Sequence, residues 1–154
     1  MVIIRPTTVE QWDEVRALFE EYWNSFGFTP CFQGFADEVA GLPGDYAPPQ
    51  GALALALLEG VPAGCAALRP FDATRVEFKR LYVRPQFRGT GAGAALMTWI
   101  FDEARRLGYR EIVCDTMPQM TTAIGMYDRA GFERTSPYSA NPTPGAIYFR
   151  KHLD

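Results

Sequence analysis

Apolar and polar positions change their period several times along the chain, and each period predicts an element. Val2–Arg5 is a short apolar run closed by Pro6 and reads as a strand. Thr8 and Gln11 stand at capping-box spacing. Behind them Trp12, Val15, Phe19, Tyr22 and Phe26 recur every three or four residues, the stripe of a helix that Gly27 would stop. Phe35–Leu42 reads as a second short helix, ended by Gly41 and Pro43, and the proline-rich stretch to Gly51 as a loop. Ala52–Leu58 and Ala63–Leu68 are apolar runs about Glu59-Gly60-Val61-Pro62, a hairpin signal. Arg75–Val83 alternates charged and apolar residues and predicts a third long strand. Leu96, Met97, Ile100, Ala104 and Leu107 give Ala92–Leu107 a helical period, with Arg105 and Arg106 in its last turn and Gly108 beyond. Glu111–Asp115 reads as a strand and Thr121–Ala130 as a helix stopped by Gly131. Phe132–Arg134 and Ala146–His152 are strands flanking a proline-rich loop, Ser136–Gly145. This order predicts an α/β (α+β) fold in one domain over residues 1–154: a mixed, mostly antiparallel central sheet flanked by helices.

Composition narrows the function. Of 154 residues 47% are hydrophobic and 21% charged, a globular balance, and the net charge of −3 argues against a general nucleic-acid binder. No apolar run approaches a membrane span, and the first residues lack the pattern of a signal peptide. Cys31, Cys65 and Cys114 are odd in number and widely spaced, so neither a disulfide framework nor a metal site is expected, and a cytoplasmic location is. His152 is the single histidine, which removes histidine-based triads. The charge is uneven. Residues 1–50 hold two arginines against eight acids, whereas Arg75–Arg88 holds five bases and one acid.

Candidate chemistry concentrates between the third long strand and the following helix, in Val83-Arg-Pro-Gln-Phe-Arg-Gly-Thr-Gly-Ala-Gly-Ala94. Alternate glycines let a ligand approach the backbone, a helix N-terminus offers N–H groups, and Arg88 adds a full charge, a combination suited to a phosphate or pyrophosphate. Gly89-x-Gly91-x-x-Ala94 formally matches a dinucleotide fingerprint, with Asp115 about 20 residues on as a ribose-binding acid. Against this, Arg84–Arg88 separates the glycines from the strand, and too little chain remains for a dinucleotide fold. No Gly-Lys-Ser/Thr follows, so it is not a P-loop. The other reading is Arg88-x-x-Gly91-x-Gly93, a pyrophosphate loop of acyl-CoA-dependent N-acyltransferases.

Glu77-Phe-Lys-Arg-Leu-Tyr-Val83, Arg84-Pro85 and Arg88-Gly-Thr-Gly-Ala-Gly93 together resemble the central motif of the GNAT superfamily. Met126-Tyr127-Asp-Arg-Ala-Gly-Phe132 resembles its second motif, in the same order and at a similar distance. Pro137-Tyr138-x-x-Asn141-Pro-x-Pro-Gly145 is similar to a stretch found in one bacterial subgroup of that superfamily. The resemblance implies acetyl-CoA as cosubstrate and a primary amine as acceptor, with no metal. Leu81, Tyr82 and Val83 would offer main-chain groups to the pantetheine arm. Arg88, Gly89, Thr90, Gly91, Ala92, Gly93 and Ala94 would hold the pyrophosphate. Thr121 or Thr122 would have to serve where many members carry an asparagine facing pantetheine, Thr121 being taken for that contact. Glu77 would take the amine's proton or position a water, although Arg75 and Lys79 on its strand face also suit it to an ion pair. Tyr127 would protonate the departing thiolate. Phe26, Phe28, Phe32, Phe35, Tyr46 and Tyr138 would wall the acceptor side. The acceptor is expected to be a small molecule; a protein or peptide acceptor, and a non-catalytic acyl-CoA-binding module, are the competing readings. Dimers are common in the resembled family, which makes a homodimer an expected assembly.

Overall fold

The computed structural model describes residues 1–25, 34–139 and 145–154. Among these, seven strands are β1 (Val2–Ile4), β2 (Ala52–Leu58), β3 (Val61–Pro70), β4 (Arg75–Val83), β5 (Glu111–Thr116), β6 (Glu133–Thr135) and β7 (Ile147–His152). The four helices are α1 (Val9–Asn24), α2 (Phe35–Ala40), α3 (Ala92–Arg106) and α4 (Thr121–Arg129). One sheet runs β1-β2-β3-β4-β5-β7-β6, antiparallel at every junction except the parallel β4–β5 pair. The expected mixed, mostly antiparallel sheet with flanking helices is the one observed.

Local chemistry places these elements. Thr8 caps α1 by accepting from the Gln11 N–H at 3.1 Å, while the Gln11 side chain accepts from the Thr8 N–H at 3.2 Å. The helix closes at Asn24; Phe26, Gly27, Phe28, Cys31 and Phe32 lie outside the described residues, as does Asn141. Alternation along the strands builds a core on each face of the sheet. Val76, Phe78, Ile112, Cys114 and Phe149 point toward α3 and α4, where Leu96, Met97, Ile100 and Tyr127 meet them. Ala54, Ala56 and Ala66 keep that face low enough for α3 to lie close. Leu53, Leu55, Cys65 and Tyr82 point the other way, toward Val15, Leu18 and Phe19 of α1 and Val39 of α2. Cys65 and Cys114 are buried, free and packed as small apolar residues.

The sheet is tightest where β3 meets the end of β4. A Cβ on Gly64 would stand 2.4 Å from the Tyr82 carbonyl oxygen and 3.2 Å from the Val83 Cα, and backbone cannot swing aside as a side chain can. Gly64→Ala therefore separates the two strands. The expected cost is about 1–3 kcal/mol, read in a thermal melt as a Tm lower by about 2–12 °C for a chain of this size. An unchanged Tm would contradict the close approach.

The uneven charge is resolved between layers. Glu38 of α2 binds Arg80 of β4 through two hydrogen bonds at 2.8 and 2.9 Å. Glu21 of α1 binds Arg84 at 2.8 Å, with Glu14 at 3.8 Å from the same guanidinium. Part of the acidity of the first third thus anchors α1 and α2 to the basic strand.

Candidate active site

A break in sheet pairing creates the site. β4 and β5 pair only from Arg75–Glu77 to Glu111–Val113; beyond them the strands diverge, and Phe78–Val83 has no partner on the β5 side. A bulge adds to the divergence. Ala67 faces Lys79 and Cys65 faces Tyr82, so Arg80 and Leu81 together oppose Ala66. Arg80 adopts φ 62°, unusual for a side-chain-bearing residue. Its guanidinium is held by Glu38 and lies 5.7 Å from the Tyr22 ring centroid and 5.4 Å from that of Phe35. The bulge puts Lys79 and Arg80 in succession on the α1 side of the sheet.

A cleft of about 640 Å³ opens from this divergence. Leu81, Tyr82 and Val83 line it, followed by Arg88, Gly89, Gly91, Ala92, Gly93 and Ala94, with Thr121 opposite at the start of α4. Positive φ at Gly89 (82°) and Gly91 (90°) turns the chain into α3. A Cβ on Gly93 would stand 2.7 Å from the Met126 Cε, the mobile end of a side chain from α4. Arg88 donates from Nε to the Val83 carbonyl at 3.1 Å, which parks its guanidinium at the end of β4. Thr90, expected among the binding residues, does not line the cleft; its hydroxyl donates to the Phe87 carbonyl. Gln119, outside both motifs, also lines the cleft, as do Met126 and Arg129, which lie within the second motif without a role assigned from sequence. Arg129 falls eight residues after Thr121, two helical turns along, a spacing that puts both on the same side of α4.

Glu77 sits beside the closed end of the divergence, 4% exposed. Arg69 Nε and the Tyr138 hydroxyl each donate to its carboxylate at 2.8 Å, and Lys79 Nζ stands at 3.8 Å. Burial would raise its pKa, but the charges of Lys79 and Arg69 and the hydrogen bonds outweigh it and hold the carboxyl below its ordinary value. The expected neighbour Arg75 instead pairs with Asp72 at 2.8 Å, while Arg69, directly across in the β3–β4 register, takes its place.

Tyr127 lies on the other face, its ring in edge or tilted contact with Phe78, Phe132 and Phe149 at 5.3–6.0 Å. It lines a smaller cavity between the diverging strands with Lys79, Leu81, Asp115 and Thr116. Its hydroxyl makes no hydrogen bond among the described residues, and burial raises its pKa well above the ordinary phenol value, so it stays protonated at neutral pH. Of the expected wall residues, Tyr138 closes over Glu77, whereas Phe35 stacks on Trp23 and Tyr46 is core. Among the described residues no cluster of three His, Cys, Asp or Glu could hold a metal, and no helix is long and apolar enough to cross a membrane.

A sheet parted between β4 and β5, with a glycine loop opening a helix at the end of β4, defines an acyltransferase architecture. The profile of the acetyltransferase (GNAT) family matches residues 12–132. The chain belongs to that family and is an N-acetyltransferase. It is 39% identical to an uncharacterised N-acetyltransferase of Schizosaccharomyces pombe, over 92% of this chain and 88% of that one. An acetyltransferase of Streptococcus agalactiae shares the fold with a TM-score of 0.84 at 19% identity, over 99% of this chain and 98% of its own. The yncA protein of Salmonella typhimurium, solved with its cofactor acetyl-CoA, superposes with a TM-score of 0.74 at 21% identity, covering 100% and 94% of the two chains.

Proposed function

We propose that the chain moves the acetyl group of acetyl-CoA to a primary amine of a small molecule, by direct attack of the amine on the thioester. The observation that carries this reading is the continuity of the unpaired β4 edge with the glycine loop. An extended pantetheine arm can take the place of the missing strand along Leu81–Val83, and the diphosphate then reaches the N-terminus of α3, where Gly89–Ala94 present backbone N–H groups and Arg88 a charge. Thr121, at the start of α4, faces the same arm.

The reaction balances without a covalent enzyme intermediate. The neutral amine nitrogen forms a bond to the thioester carbonyl carbon, and a backbone N–H near Leu81–Val83 receives the developing oxyanion. The carbon–sulfur bond breaks, Tyr127 protonates the thiolate, and the proton released by the amine leaves through solvent and restores Tyr127. Glu77 serves as a positioning group. Both its oxygens are engaged and its pKa is held down, so it keeps Lys79 and Arg69 in place and can order a water for the departing proton. A closed acceptor side, where Tyr138 folds over Glu77 and meets Phe71 and Tyr148 edge-on, favours a small acceptor over a peptide. Cytoplasmic chemistry on a soluble amine accords with this reading.

The test is a thermal melt with acetyl-CoA, CoA and NADPH. At a hundredfold excess over Kd a ligand adds about 2.7 kcal/mol, a Tm rise of about 5–11 °C here. Acetyl-CoA and CoA are expected to give it and NADPH not. No rise with acetyl-CoA would overturn the proposal; a rise without thiol release on any amine would mark a binding module.

A further inference from the structure

On the reading above, the acyl group is bonded to the sulfur that Tyr127 protonates, and the space beside Tyr127 is small. The cavity between the diverging strands has a volume of about 30 Å³, room for about one water-sized group, against about 640 Å³ for the cleft. The two adjoin, since Tyr22, Leu81, Met117 and Met120 line both. A pantetheine arm laid along Leu81–Val83 ends at their junction, and the acyl group beyond the sulfur enters the small cavity. An acetyl methyl is close to a water in size. A longer chain needs a wall to move.

Most of its walls resist movement. Phe78, Thr116, Met117 and Tyr127 are buried, and the rings of Phe78 and Tyr127 meet edge to face at 6.0 Å. A packed core takes up added methylenes only with strain. Met120 differs in kind. It is half-buried, and an unbranched thioether side chain ordinarily reshapes itself around a ligand. Here it is held. Its N–H donates to the Met117 carbonyl at 3.0 Å and its carbonyl accepts from the Ile124 N–H at 3.0 Å, which fixes the backbone where α4 begins. The Thr116 hydroxyl donates to its sulfur at 3.4 Å. A thioether is a weak acceptor, yet this bond gives a buried hydroxyl its partner and pins the far part of Met120 at the same time.

We propose that Met120 sets the length of acyl chain this enzyme accepts, by closing the small cavity behind the acetyl group, and that Thr116 is the positioning residue that keeps Met120 from giving way. This rests on the acetyl-transfer reading above and deepens it. The pair acts against propionyl-CoA, butyryl-CoA and longer thioesters, whose chains would have to displace the Met120 side chain and break its bond to Thr116.

The test uses the full chain with acetyl-, propionyl- and butyryl-CoA, read as kcat/KM by thiol release with the most active of a panel of primary amines. A single methylene in a fitted apolar pocket changes selectivity by about 10–200-fold, so acetyl-CoA should exceed butyryl-CoA by about a hundredfold or more. Met120→Ala should narrow that gap by about tenfold or more, chiefly by improving butyryl-CoA. Thr116→Val keeps the shape of the side chain, removes the hydroxyl and should narrow the gap part of the way. Thr116→Ser, which keeps the hydroxyl, should retain the gap of the parent. A rise in Tm with CoA shows that each variant is folded. Butyryl-CoA used by the parent as readily as acetyl-CoA would overturn the inference, as would a gap that survives Met120→Ala. A gap unchanged in Thr116→Val would remove Thr116 from the positioning role. If acetyl-CoA gives the parent no rise in Tm, or no amine releases thiol, the acetyl-transfer reading falls and this inference with it.

Discussion

On the proposed mechanism Tyr127→Phe is expected to lower kcat by about a hundredfold or more, the range for loss of a positioned proton donor, and to leave KM for acetyl-CoA essentially unchanged. The separation of the two constants follows from position. Tyr127 lines the small cavity between the strands and not the large cleft, so on the proposed mechanism its hydroxyl would meet the departing sulfur and not the arm or the diphosphate. The variant also keeps its fold. The phenol makes no hydrogen bond among the described residues, and its contacts with Phe78, Phe132 and Phe149 are ring contacts that phenylalanine preserves. Steady-state kinetics beside a thermal melt checks both halves. Turnover equal to the parent would remove Tyr127 from the proton-transfer role, whereas a fall in Tm would mean that the hydroxyl helps hold the fold.

Glu77→Gln is expected to destabilise the fold by about 2–4 kcal/mol, because removing one partner of a buried ion pair leaves the other uncompensated. The lower part of that range applies if water reaches Arg69, whose side chain is 34% exposed. The effect should depend on pH with a definite sign. The Glu77 pKa in the folded chain lies below its ordinary value, so its contribution is full above the unfolded carboxylate pKa and is lost as pH falls through the folded one. The melting curves of parent and variant should lie furthest apart near neutrality and converge in acid. Parallel curves across that interval would show that the carboxylate charge is not what stabilises the cluster. For the same reason Glu77 should contribute no acidic limb near neutrality to a plot of kcat/KM against pH.

Much of this architecture could be read from the residues themselves. Periodicity located every described helix and strand within about two residues, the uncertainty inherent in element ends. The glycine loop was legible because Gly89 and Gly91 turn the chain into α3 at positive φ, which glycine adopts most readily. The reach of the site across the sheet was not legible. Arg69 meets Glu77 only because the β3–β4 register sets them opposite, and local spacing suggested Arg75 instead. Tyr138 reaches Glu77 across 61 positions of sequence, which no periodicity encodes. The bulge at Arg80 was hidden because an arginine at positive φ has no sequence signature; only its bidentate bond to Glu38 in another layer explains it. Without the bulge, strict alternation would send Lys79 and Arg80 to opposite faces, and the crowding of cations on one side would go unseen. The acidity of the first helices was visible, but its use in binding Arg80 and Arg84 depended on packing.

The break between β4 and β5 also bears on how the protein avoids its own kind. An unpaired strand is an invitation to other polypeptides, and folds usually shorten or shield such edges. Here the two outer strands, β1 and β6, are three residues each, too short to template a neighbour. The run Phe78–Val83, open on its β5 side, sits instead in the middle of the sheet, with Tyr22 of α1 on one side and Met117 and Met120 on the other. A slender, extended molecule can lie along it, whereas an incoming β-sheet would meet those side chains first. That arrangement withholds adhesive backbone from aggregation and, on the proposed function, leaves it to the cosubstrate.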